Sequence, residues 1–232
     1  MSHHLRPLAI CAALTMIATG SIAFADNKIG DVSLQQYRGA TGAPSGGIAS
    51  PLYFANDVYS GETVATPDAG STVLTFQDST QLRVGGSSRV VLDHFVYDPN
   101  TRTGDAAINF SKGIFRFVTG DIQNKSNVKL TTPTTALTIR GTDFKVIVTD
   151  AGTIIAVKSG HVEIKPCGGT AETRLLGPGE AASVNTSCSL KSVAIGDVPS
   201  DPGTDGEGPG DGGKGHEPPS RPERGKDGGS PG

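Results

Sequence analysis

The sequence predicts an all-β protein, a single sandwich or jelly roll of short strands, and three observations carry that reading. From about Ile29 to Ile195, apolar and polar residues alternate over short runs, the period of a strand with one buried face. Gly, Pro, Asn and Asp turns interrupt these runs at intervals of roughly 8 to 12 residues. No stretch of helical period intervenes. A β-roll or solenoid-like stack fits nearly as well, because alternation within strands does not determine their order.

The first element is not part of that fold. In MSHHLRPLAICAALTMIATGSIAFAD, Arg6 supplies a positive start, Leu8 to Ile17 an apolar run, and Ala23-Phe24-Ala25 a small-x-small cleavage pattern. Residues 1–25 are therefore expected to be a signal peptide cut after Ala25, placing the protein in the periplasm or outside the cell. The apolar run is shorter than the roughly 18 to 20 residues of a spanning helix, and Thr15, Thr19 and Ser21 dilute it. Nothing later is apolar enough to span, so no membrane span is expected after signal removal. Bulky Ile10 before Cys11 argues against lipidation. Of three cysteines, Cys11 leaves with the signal, and Cys167 and Cys188 remain as an even pair in an oxidising compartment. A disulfide is expected, worth about 3 kcal/mol for a loop of about 20 residues in the chain-entropy model.

After a lead-in with the first strands over 26–57, an all-β domain is expected over 58–195. Its clearest alternations are Thr72–Phe76, Gln81–Val84, Arg89–Leu92 and Lys145–Val148. Asp78-Ser79-Thr80 and Gly85-Gly86-Ser87 separate the early runs, and Asp150-Ala151-Gly152 has the spacing of a hairpin. Thr153–Lys158, His161–Lys165 and Glu180–Val184 read as separate later strands. In Gly113–Gly120, Ile114, Arg116 and Val118 face one way, and Phe115, Phe117 and Thr119 the other, with the two Phe anchoring the core. Pro133 suits an edge or a strand start. About 165 residues suffice for one core.

Residues 196–232 change character. Past Pro199, Gly or Pro fills roughly half the positions and no aliphatic residue appears, a composition that cannot bury a core and predicts a disordered acidic tail. The whole chain carries a net charge of -3. Residues 201–232 hold seven acids and four bases, so the remainder is close to neutral. With no basic footprint and no Trp, nucleic-acid binding loses its warrant.

Catalytic and metal constellations are equally thin. His94, His161 and His216 are scattered, and there is no GxSxG elbow, HExxH helix or clustered His and Cys at zinc spacing. Asp93, Asp143 and Glu163 read as surface or turn carboxylates. No catalytic residue, cofactor or metal is expected. Arg140 and Asp143 flank Gly141-Thr142, where they are expected to pair across a tight bend or bond its carbonyls. The alternative for Arg140 is a partner contact through its planar donor fork.

Two stretches go beyond generic β pattern: Ser111–Gly120, SKGIFRFVTG, and Thr132–Val146, TPTTALTIRGTDFKV. They resemble the FecR domain, where a KGxFRFVTG-like strand precedes a TPxAxxxIRGTDFxV segment. Leu92–Pro99, Gly160–Ile164 and Leu176–Glu180 extend the resemblance, which covers about Val58 to Val184. Where the family has an Asp-Gly turn, this chain reads Asp78-Ser79. The resemblance implies a protein that relays envelope signals, as members do between an outer-membrane receptor and a cytoplasmic σ factor. Those regulators have a cytoplasmic segment and a retained helix; a cleavable signal in their place implies no direct σ-factor contact. The expected role is a non-enzymatic binding or sensing module, with an envelope protein or a glycan as partner. A structural envelope role binding polysaccharide or a secreted protein is the alternative. Some family members cleave themselves between Gly and Thr, which makes Gly141-Thr142 the matching bond here. Arg140, Gly141, Thr142, Asp143 and Phe144 are thus the partner or structural motif.

Overall fold

Residues 27–37, 39–169 and 172–200 are described by a computed structural model. The expected signal peptide and nearly all of the Gly/Pro tail lie outside the described residues. The remainder is all-β, and its fifteen strands are joined by hydrogen bonds into one sheet. In chain order they are β1 (Lys28–Tyr37), β2 (Ala40–Ala43), β3 (Ser50–Leu52), β4 (Asp57–Tyr59), β5 (Glu62–Ala65), β6 (Gly70–Phe76), β7 (Gln81–Val84), β8 (Arg89–Asp98) and β9 (Thr103–Val118). There follow β10 (Val128–Thr131), β11 (Thr135–Thr149), β12 (Gly152–Pro166), β13 (Arg174–Leu176), β14 (Ala181–Asn185) and β15 (Leu190–Val193).

Pairing divides this sheet into two layers that share three long strands. One layer runs β3-β2-β5-β8, then the N-terminal half of β9, β10, the N-terminal half of β11, the C-terminal half of β12, and β13. The other runs β4-β1-β6-β7, then the C-terminal halves of β9 and β11, the N-terminal half of β12, β14 and β15. Each long strand therefore leaves one layer and enters the other without losing its ladder, the corner device of packed sheets. Phe76 of β6 stacks on Phe95 of β8 with centroids 5.1 Å apart, joining the layers through the core.

The corners fall where the sequence places glycine. β9 turns at Gly113, which has φ +113°, and Ser88 Oγ accepts the next amide at 3.1 Å. β11 turns at Gly141, where its register against β12 shifts between Arg140 and Asp143. β12 turns at Gly160. Thr153–Lys158 and His161–Lys165, expected as two strands, are one strand: Ser159-Gly160 bends the ladder instead of ending it.

Alternation builds the core as expected. Phe115 and Phe117 are buried, whereas Ile114, Arg116 and Val118 are only partly so. The predicted Gln81–Val84 is β7, and the predicted hairpin after Lys145–Val148 joins β11 to β12. Pro133 lies exposed in the link between β10 and β11, two residues before the strand begins. The expected lead-in is part of the sheet: β1 lies between β4 and β6 and buries Ile29 and Val32. Cys167 and Cys188 form a disulfide, tying the end of β12 to the β14–β15 turn.

Candidate functional site

The motif Arg140–Phe144 occupies the corner of β11, and the corner decides where each side chain goes. Phe144 enters the core and packs at a tilt on Phe117, with centroids 5.7 Å apart. Thr142 is buried too, at 2% exposure. Its amide donates to Thr119 Oγ1 at 3.0 Å, the Thr119 amide donates to its carbonyl at 3.0 Å, and its hydroxyl donates to the His161 carbonyl at 3.3 Å. Gly141 has φ +61°, and its carbonyl lies so close to Gly160 that a Cβ there would sit 2.1 Å from the oxygen. The Gly141-Thr142 bond of β11 is thus held by β12 and by Thr119, just past the end of β9.

Arg140 and Asp143 take different partners from the expected pairing with each other. Arg140 stays exposed in the first layer, with Nη2 at 3.9 Å from Glu163 Oε2, a pair worth little in water. Asp143, beyond the corner, is clasped by Arg116 of β9: Nε donates to Oδ1 at 2.9 Å and Nη2 to Oδ2 at 2.7 Å. These side chains are 23% and 16% exposed, a half-desolvated fork of the stronger kind. Sequence alternation had placed Arg116 on the outer side of its strand, but its partner comes from 27 residues further on. Lys158 Nζ approaches the same carboxylate at 3.9 Å.

Around this fork lies a cleft of about 310 Å³ on the outer face of the second layer. Lys145, Lys158, Arg116 and Asp143 line it, and Ile195 and Val198 of the C-terminal segment close one side. Lys145 Nζ donates to the Pro199 carbonyl at 2.6 Å, fixing that segment in place.

The scattered polar candidates do not converge. His94 pairs with Asp105 on the surface at 2.5 Å, Asp93 and His161 are exposed, and His216 lies outside the described residues. Among the described residues, no three His, Cys, Asp or Glu side chains gather as a metal site, and no helix is long and apolar enough to cross a membrane.

Comparison with known proteins bears on the corner directly. The sequence model of the family described as FecR protein matches residues 62–163, a span that holds the SKGIFRFVTG strand, the fork and the whole β11 corner. The chain carries a FecR domain. Two solved structures are also similar to it, both described as crystal structures of "a putative anti-sigma factor from Parabacteroides distasonis ATCC 8503", at 2.50 and 1.65 Å. They are 15% and 14% identical over 57% of this chain, each with a TM-score of 0.44, and this chain covers 59% of their length. No curated protein matches the chain. The FecR domain is thus the central part of a larger sheet, with β1 to β4 and β13 to β15 outside the matched span.

Proposed function

We propose that this chain is an exported, non-enzymatic FecR-domain module that binds or senses a partner in envelope signalling. The observation that carries the reading is the way the FecR motif spends its polar groups. Thr142, Asp143 and Arg116 are all committed to bonds that hold the β11 corner, an arrangement suited to a rigid platform. General acid or base work asks instead for a proton-transferring group aimed at a reacting atom. The signal-like residues 1–25 support export, and the FecR domain supports a role in envelope regulation.

The test has two arms. Cell fractionation with peptide mapping is expected to find the protein outside the cytoplasm, beginning at Asp26, and cross-linked capture from the envelope is expected to return a specific protein partner. Recovery in the cytoplasm with Met1 intact overturns the export reading, and capture of glycan alone overturns the signalling role. Intact mass decides the chemistry: a single species from Asp26 to Gly232 is expected, whereas two fragments divided at Gly141 make the chain self-processing.

A further inference from the structure

A second cleft opens where the two layers end, away from the fork. β3 closes the first layer and β4 the second, each paired with a strand on one side only. Between them and the β4–β5 turn lies a space of about 450 Å³, within the roughly 300–1,000 Å³ of small-ligand sites. Apart from Glu62, the residues that line it precede the FecR match.

The links flanking β3 carry the most exposed large apolar side chains among the described residues. Ile48, between β2 and β3, is 91% exposed, and Tyr53 and Phe54, between β3 and β4, are 62% and 69% exposed. The aromatic pair is held in place. Asn56 donates its amide to the Tyr53 carbonyl at 3.0 Å, and the Tyr53 amide donates to Asn56 Oδ1 at 2.8 Å. β1 anchors this turn through Val32, whose carbonyl accepts the Ala55 amide at 2.8 Å and whose amide donates to the Asn56 carbonyl at 2.9 Å. Ala55 sits at φ +63°, a left-handed conformation that a residue with Cβ disfavours. A fixed turn that keeps two aromatic rings in water, against the preference of its backbone, marks a contact surface.

The polar groups beside the rings define what fits there. Asn56, Asp57 and Tyr59 line the cleft. With its Oδ1 taken by the Tyr53 amide, Asn56 offers Nδ2 as a donor; Asp57, held through Oδ1 by Lys28 at 2.5 Å, offers Oδ2 as an acceptor. The Tyr59 hydroxyl serves as either. A donor and an acceptor on adjacent residues match two neighbouring hydroxyls, and aromatic rings match the C–H face of a sugar. An apolar protein surface seated here would strip the carboxylate of water without replacing its bonds. No cation among the described residues lining the cleft recruits an anionic glycan or lipid headgroup.

We propose that this cleft is a binding site for a neutral pyranose oligosaccharide. Tyr53 and Phe54 lie against its C–H faces, and Asn56, Asp57 and Tyr59 bond its hydroxyls. The site goes beyond the binding-module reading and does not depend on it.

The test titrates cellopentaose, maltopentaose and chitopentaose into the full chain by calorimetry, with tetragalacturonate and phosphatidylglycerol vesicles as charged comparisons. At least one neutral sugar is expected to bind, with an affinity that salt leaves unchanged. Asn56→Asp keeps the acceptor for the Tyr53 amide and loses the donor, and is expected to weaken binding about tenfold. Tyr53→Ala combined with Phe54→Ala is expected to abolish it, whereas Leu175→Ala, an exposed apolar residue at the opposite edge of the first layer, leaves it unchanged. Melting curves check that each variant is folded. No binding of any neutral sugar, a preference for the galacturonate or the vesicles, or undiminished affinity in the folded variants overturns the assignment. Sugar binding lost in the variants while a protein partner is still captured supports a separate site; sugar binding without any protein partner overturns the signalling reading alone.

Discussion

Ser79 sits at φ +66° in the turn between β6 and β7, a conformation that glycine adopts freely and a side chain with Cβ does not. The turn survives because buried Asp78 holds it: Oδ1 accepts the Thr80 amide at 2.9 Å and Oδ2 the Thr80 hydroxyl at 2.8 Å. Ser79→Gly removes the left-handed cost but adds freedom to the unfolded chain, for a net gain of about 0.5 kcal/mol. A raised urea midpoint at unchanged slope is the expected result, and a lowered midpoint refutes the argument. Asp98 makes a pH statement. Its carboxylate accepts the Asn100 amide and the Thr101 hydroxyl, each at 2.9 Å, and these bonds hold its pKa below the ordinary carboxylate value. The contribution to stability is complete above the ordinary range and fades as pH falls through the lowered folded value. NMR titration should place the Asp98 midpoint below that of an exposed Asp, with Thr101→Val moving it upward. At this scale the core phenylalanines and the Asp78 turn were legible, because both are local. The Arg116–Asp143 fork was not, because no local signal says which distant strand will lie alongside.

Strands β9, β11 and β12 show why element boundaries are harder to read than element type. Gly160 carries a turn signal, and a strand that ends and a strand that bends at glycine look alike in sequence. The difference lies in the neighbours: the β12 ladder to β11 resumes at His161 opposite Arg140. The two corner glycines separate conformation from space. At Gly160, φ is +75° and a Cβ would meet the Gly141 carbonyl oxygen at 2.1 Å, a backbone atom that cannot swing aside. At Gly141, φ is +61° and the space is open. Gly141→Ala is therefore expected to cost about 1 kcal/mol, the left-handed penalty alone. Gly160→Ala adds a backbone clash and is expected to cost about 3 kcal/mol. Denaturant unfolding of the pair checks this, and equal losses would show that the corner yields more readily than the close approach implies.

The FecR match spans 62–163, but the core does not divide there. Because β9, β11 and β12 belong to both layers, each layer depends on strands outside that span. β6 loses β1, β5 loses β2, and β12 loses β13 and β14 if the flanks are removed. With them go Ile29, Val32, Val58, Leu176 and Val184, all at 1% exposure or less. Burying each contributes about 2 kcal/mol, so their joint loss is of the order of the 5–15 kcal/mol by which domains are stable. Freshly bared edges on β5, β6 and β12 would also invite aggregation. A segment of residues 62–163 is therefore expected to show no cooperative melting and to bind a hydrophobic dye. Residues 27–200 should unfold in one transition, with calorimetric and van't Hoff enthalpies equal, since no layer can melt while its shared strands remain paired. A cooperative transition in the short segment, or two separate transitions in the long one, would mean that the layers fold independently and that the shared strands merely connect them.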